Sequence, residues 1–207
     1  MTARKRVAVL ISGRGSNMTS LIKAAKAPDY PAEIALVLSN RPDAKGLETA
    51  GAEGVATLAL DHKDFAGREA FERAMQEALV AHRIELIALA GFMRLLTPWF
   101  VGEWRGRMIN IHPALLPAFK GLHTHERALE AGVKIHGCTV HWVTPGMDEG
   151  PIIAQAACAV RRDDTSDSLG ARVLDLEHQL YPAALAQVAQ GADDPARLPA
   201  REALFAI

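Results

Sequence analysis

The sequence predicts an α/β fold, a Rossmann-like doubly wound and mainly parallel sheet with helices on both faces. Three observations carry this. Short runs that are apolar nearly throughout, such as residues 7–11 and 84–90, read as strands buried on both faces. They alternate with stretches of helical periodicity, which favours crossover connections over an antiparallel sandwich. The first run also stops at a glycine turn that opens a helix. At 207 residues with 49% hydrophobic and 23% charged residues, the chain can fill one core. We expect a single domain over residues 1–190, its N-terminal half binding phosphate and its C-terminal half carrying the chemistry. Residues 191–207, polar with Ala and Pro, read as a C-terminal extension.

Along the chain, residues 6–11 form the first strand and Asn17 caps a helix through Lys26. Residues 34–38 repeat the buried-strand pattern, a short helix follows over 46–50, and 55–60 is a third strand. Phe71, Met75, Ala78 and Leu79 share one face of an amphipathic helix over 68–82. Residues 84–90 are the fourth strand. Beyond them the pattern changes: 108–111, 139–144 and 152–160 are strand-like but separated by loops rich in Pro, Gly and His. A long helix over 166–190, with Pro182 as a candidate bend, closes the ordered chain.

The formal net charge is −1, which gives no overall field to draw nucleic acid or an anionic membrane. Arg4, Lys5 and Arg6 precede an apolar run of only residues 7–11, too short for an export signal of about 7–15 apolar residues. Residues 86–93 fall below the roughly 18 needed to span a bilayer. The chain therefore reads as cytoplasmic, with small-molecule partners, no nucleic acid and no membrane, as a monomer or homodimer. Cys138 and Cys158 stand in strand-like apolar surroundings and read as buried small hydrophobes.

Gly13 and Gly15 lie between the first strand and its helix, so the backbone N–H groups of Gly15, Ser16 and Asn17 can converge on one anion at the positive helix end. A dinucleotide site wants a third glycine where Met18 stands and an acidic residue where Ser39 and Asn40 stand; the lysine-bearing loop of P-loop ATPases is also missing. A single phosphate fits best, against the plainer reading of a tight turn without ligand.

Asn110 and His112 flank Ile111 at a strand end, so both side chains leave the same face of the sheet. Asp148 lies in a Pro-Gly-Met-Asp-Glu-Gly-Pro loop that can aim a carboxylate at the same strand ends. A donor, an imidazole and a charge to tune it suit acyl transfer, whose tetrahedral intermediate carries an oxyanion. A carboxylate beside His112 favours the imidazolium, which both stabilises an oxyanion and donates a proton. By itself Asn-x-His at a strand end is more often a structural hydrogen-bonding pair. His112, His123, His125, His136, His141 and Asp148 also crowd one region, but without cysteine pairs or a helical His-Glu-x-x-His the metal reading is the weaker one. A serine hydrolase lacks its nucleophile elbow.

These residues fall in five ordered blocks: Leu-Ile-Ser-Gly-Arg-Gly-Ser-Asn at 10–17, Ala-Gly-Phe-Met-Arg-Leu-Leu at 90–96, Asn-Ile-His-Pro-Ala-Leu-Leu-Pro at 110–117, Gly-Leu-His-Thr-His at 121–125 and Met-Asp-Glu-Gly-Pro at 147–151. Through them the chain, from residue 7 to about 182, closely resembles the phosphoribosylglycinamide formyltransferases, folate-dependent enzymes of purine synthesis. The resemblance implies that Asn110, His112 and Asp148 are catalytic. It implies that Gly15, Ser16 and Asn17 bind the phosphate of glycinamide ribonucleotide and Glu177 its ribose. It implies that Arg68, Met93, Arg94, Leu95 and Leu96, with Thr144, Pro145, Gly146 and Met147, contact the co-substrate 10-formyltetrahydrofolate. Without it, Leu95 and Leu96 read as core and Glu177 as a solvated helix residue.

His141 is expected to support the catalytic residues, and no metal is required. Relatives that formylate initiator methionyl-tRNA carry a further C-terminal domain, and formyltetrahydrofolate deformylases an N-terminal one; neither extension is expected here. The alternatives are another 10-formyltetrahydrofolate-using transferase or hydrolase, or a folate- and phosphoribosyl-binding module without turnover. Two positions depart from the resemblance: Arg14 stands between the turn glycines where Asn is common, and Glu149 precedes Gly150 where Gly is common.

Overall fold

The computed structural model describes residues 4–191 and the backbone of residues 203–206. The apolar runs become a continuous sheet in the order β3-β2-β1-β4-β5-β6-β7-β8. At its centre, β1 (Lys5–Ile11) turns Val7, Val9 and Ile11 into one core and Ala8 and Leu10 into the other, so an unbroken apolar run is what a strand covered on both faces needs. On one face lie α1 (Ser16–Ala25), α2 (Lys45–Ala52) and the long α6 (Ser166–Ala189). On the other, α3 (Arg68–Ala81) and α4 (Pro98–Glu103) supply Phe71, Met75, Leu79, Phe100 and Val101.

β1 pairs in parallel with β2 (Ala32–Ser39) and β4 (Leu86–Leu89), β2 with β3 (Thr57–Ala59), and β4 with β5 (Met108–His112). The direction then changes, because β6 (Ile135–Trp142) runs antiparallel to both β5 and β7 (Ile152–Ala159). The sheet is thus mainly parallel and doubly wound. Strand order reverses between β1 and β4, and ligands of such sheets bind outside the carboxyl ends of the strands there.

Several boundaries move from their expected places. β6 begins at Ile135 rather than at 139, because His136 and Gly137 pair with β7 instead of forming a loop. A Cβ on Gly137 would meet the Ala156 carbonyl oxygen at 1.9 Å, so the strands approach more closely there than a side chain permits. β6 also ends at Trp142, leaving Thr144 in the following loop. The first helix starts at Ser16 with Gly15 as its cap, in the left-handed region at φ 73°. Asn17 is therefore not the cap, and its side chain is free for another partner.

Two short helices escape the periodicity reading. α4 is one and a half turns opened by Thr97, whose hydroxyl accepts from the Phe100 N–H at 3.3 Å. α5 (Thr124–Glu130) follows His123 at φ 56° and packs on α6. α6 is continuous through Pro182. Of the expected extension, residues 192–202 and 207 lie outside the described residues, and the backbone of β8 (Ala203–Ala206) runs parallel to β7.

Candidate active site

The glycine turn after β1 sits against two helices. The N–H groups opening α1 have no partner within the helix, so Ser16 and Asn17 present donors beyond the end of β1. Gly46, in the first turn of α2, donates its N–H to the Gly13 carbonyl at 3.1 Å. A Cβ on Gly46 would meet the end of the Ile11 side chain at 2.4 Å and the Gly13 carbonyl oxygen at 3.1 Å, so glycine eases the close approach of α2 to the turn. Ser12 then joins three strand ends: its hydroxyl donates to Asn40 Oδ1 at 2.5 Å and accepts from the Met93 N–H at 2.7 Å. Gly46, Ser12 and Asn40 were not singled out as site residues in the sequence; for the last two the available signal was a small polar residue just beyond a buried strand.

Asn17 donates from Nδ2 to Glu177 Oε2 at 2.7 Å, across 160 residues of sequence. Glu177 is only 6% exposed, contrary to its reading as a solvated helix residue. Burial raises its pKa to about 7, with the Asn17 hydrogen bond opposing in smaller measure. Asn17 Oδ1 is buried without a protein partner, so the pair presents one open acceptor and a carboxyl group to an incoming hydroxyl-bearing ligand. A carboxyl whose folded pKa lies above its unfolded value of 4.5 stabilises the fold fully below pH 4.5 and loses that contribution as pH rises through about 7. Relative to Glu177→Gln, the wild type should lose about 3 kcal/mol across that window. Urea midpoints of both proteins at pH 5 and pH 8 measure this; a difference independent of pH removes the assignment.

Asn110 and His112 share one face of β5, while Ile109 and Ile111 enter the core on the other. The antiparallel register sets Asn110 directly opposite His141 and His112 opposite Thr139. Asn110 Nδ2 lies 3.1 Å from His141 Nε2, and His141 Nδ1 lies 2.9 Å from the Trp142 carbonyl oxygen. Burial pushes the pKa of His141 down; the Trp142 carbonyl and the Asp148 carboxylate oppose this, and His112 adds to it. A neutral ring therefore donates from Nδ1 to Trp142 and accepts from Asn110 at Nε2, which fixes the orientation of the Asn110 amide.

Asp148 joins the two histidines. Its Oδ2 accepts from the Gly121 N–H at 2.8 Å and stands 3.5 Å from His112 Nδ1, and its Oδ1 stands 3.7 Å from His141 Nε2. The loop reaches this position because Trp142 N–H bonds the Pro151 carbonyl at 2.9 Å and because a Cβ on Gly150 would lie 1.6 Å from the Trp142 carbonyl oxygen. Asp148 itself takes φ 53°, which a short polar side chain tolerates better than a branched one. His112 is 5% exposed, with Nε2 3.0 Å from the Phe119 carbonyl oxygen. Both of its nitrogens thus face acceptors.

The other histidines do not join this group. His125 Nδ1 lies 3.2 Å from His136 Nε2 with the rings edge to face, and His123 faces Glu126. Burial lowers the pKa of both His125 and His136, the latter to about 4. Among the described residues no three His, Cys, Asp or Glu side chains are arranged to hold a metal ion.

Met93, Leu95 and Met147 are large apolar side chains left 69%, 60% and 52% exposed, each available to an apolar ligand. Leu95 and Leu96 therefore differ: the first is exposed and the second packs against the core around Phe71. Arg94 and Thr144 are partly buried, and Pro145 is exposed. A Cβ on Gly146 would run into the end of the Glu149 side chain. The buried carboxylate of Glu72, absent from the sequence reading, accepts from both the N–H and the hydroxyl of Thr97 and so anchors the end of the 93–96 segment. Arg68 opens α3 and lines a cleft of about 570 Å³ with Arg73 and Thr97; it shares no hydrogen bond with the Asn110–Asp148 group.

A family model described as formyl transferase matches residues 5–185. The chain belongs to the formyl transferase family. Among its relatives, the phosphoribosylglycinamide formyltransferase of Escherichia coli (strain K12) is 44% identical over 185 residues, covering 89% of this chain and 87% of that one. The trifunctional purine biosynthetic protein adenosine-3 of Drosophila melanogaster is 51% identical over 190 residues; the chain spans only 14% of that relative's length. A solved phosphoribosylglycinamide formyltransferase from Brucella melitensis superimposes with a TM-score of 0.88 at 55% identity, over 91% of this chain and 97% of that one. The mainly parallel sheet is the fold of this formyl transferase family. No helix among its described residues is long and apolar enough to cross a membrane.

Proposed function

We propose that the protein transfers the formyl group of 10-formyltetrahydrofolate to the amine of glycinamide ribonucleotide, the step its single-activity relatives are named for. The observation that carries this reading is that His112 and His141 both approach Asp148, with Asn110 held on His141, within a formyl transferase chain. Gly15, Ser16 and Asn17 hold the nucleotide phosphate, and Glu177 with Asn17 reads the ribose hydroxyls. Met93, Leu95 and Met147 clamp the pterin, Leu96, Thr144, Pro145 and Gly146 shape its slot, and Arg68 and Arg94 meet the folate carboxylates.

The neutral amine attacks the formyl carbon, and the carbonyl electron pair moves onto oxygen. Asn110, oriented by His141, donates to that oxyanion. His112 joins it by exchanging the Phe119 carbonyl at Nε2 for the substrate oxygen. The oxyanion then collapses, the bond to the folate nitrogen breaks, and the proton lost by the amine reaches that nitrogen through His112 or a water held by Asp148.

One assay tests the whole reading: formyl transfer measured with glycinamide ribonucleotide, methionyl-tRNA and water as competing acceptors. The expected product is formylglycinamide ribonucleotide alone. Formate release makes the protein a hydrolase, and binding of both ligands without turnover makes it a binding module.

A further inference from the structure

We infer that Arg14 and Lys45 form a cationic outer rim to the phosphate turn and set the affinity for the nucleotide substrate; this rests on the phosphate assignment above and extends it. Arg14 lies inside the turn, between Gly13 and Gly15, and Lys45 is the first residue of α2. The two are brought together by the Gly46 contact. A Cβ on Gly46 would stand 3.1 Å from the Gly13 carbonyl oxygen and 3.3 Å from that of Arg14, so α2 begins directly against the segment that carries Arg14.

Both side chains are exposed, and neither makes a hydrogen bond or ion pair with any described residue. Several other cations near the strand ends and edges are paired. Arg41 is held by Asp43, Lys5 by Glu85, Arg6 by Glu33 and Lys120 by Glu149. Glu48, one turn along α2 from Lys45, is the nearby carboxylate, and it pairs with neither cation. Two cations carried on neighbouring backbone segments without an anion repel one another, and a phosphate dianion bound at the turn offsets that repulsion.

The division of labour follows from chemistry. Backbone N–H groups of Gly15 to Asn17 fix the position of the phosphate by geometry, whatever its charge. A guanidinium and an ammonium reward the second negative charge, so the rim favours a phosphomonoester dianion over a monoanionic diester. The approach of α2, bringing a second unpaired cation to the segment that carries Arg14, favours phosphate over solvent as the partner of Arg14.

The test compares wild type with Arg14→Asn and Lys45→Ala. Inorganic phosphate is titrated into each, with the amide resonances of Gly15 and Ser16 as the readout. Each variant should bind phosphate about tenfold more weakly, the loss of one charge-assisted contact. In kinetics the rise should fall on KM for glycinamide ribonucleotide and leave KM for the folate in place. The wild-type KM should also depend more steeply on salt than that of either variant. Equal phosphate affinity in all three proteins overturns the rim. Wild-type turnover with glycinamide ribonucleotide judges the acceptor separately, because the phosphate titration needs no reaction.

Discussion

Asp148→Asn should leave the fold intact and lower kcat by roughly 10²–10⁴, the range for losing a positioned acid–base component. The amide has the same shape, and its oxygen can still accept the Gly121 N–H that now binds Oδ2 at 2.8 Å. What it removes is charge. The carboxylate stands 3.5 Å from His112 Nδ1 and 3.7 Å from His141 Nε2, and no other acid of the site approaches either ring among the described residues. Without it, nothing compensates positive charge on His112 while the oxyanion forms, and a water relaying the amine proton loses its anionic anchor. Steady-state kinetics with a thermal melt on the same sample checks this: an unchanged melt with full activity removes Asp148 from the mechanism.

Asn110→Ala should cost about 2–4 kcal/mol of transition-state stabilisation, as for an oxyanion-hole donor. The geometry explains why a small side chain can matter this much. Cross-strand pairing with His141 holds the amide nitrogen at 3.1 Å from a ring that burial keeps neutral, so the second N–H of Asn110 is aimed before substrate arrives. Such preorganisation is present at no further cost when charge develops. The loss should therefore appear in kcat. A rise confined to KM would make Asn110 a binding residue instead.

Both predictions concern residues that the sequence located, at a strand end and in a glycine-flanked loop. Much of the fold was equally legible there. Runs apolar on both faces announced β1, β2 and β4, and the spacing of Phe71, Met75 and Leu79 announced α3, because burial on two faces or on one helical stripe writes a local pattern. The ends of elements were less legible. α4 and α5, of six and seven residues, are too short to show a period, and β6 hid its first residues behind a His-Gly pair that only the approach of β7 explains.

Relations between residues far apart in the chain had no local signature. Asn17 looked like a helix cap and Glu177 like a surface carboxylate until α6 packed beside α1 and brought them to 2.7 Å. The histidines between 112 and 141 looked like one cluster until the β5–β6 register sent His141 to Asn110 and left His136 with His125. What the sequence determined by itself was the inventory: which segments are strands and helices, where the chain turns on glycine, and which polar residues stand at strand ends. What only the tertiary structure decided was who meets whom. Register, close backbone approach at Gly46 and Gly150, and the burial of Glu177 arise from packing between segments, and no local run of residues encodes the distance between two others.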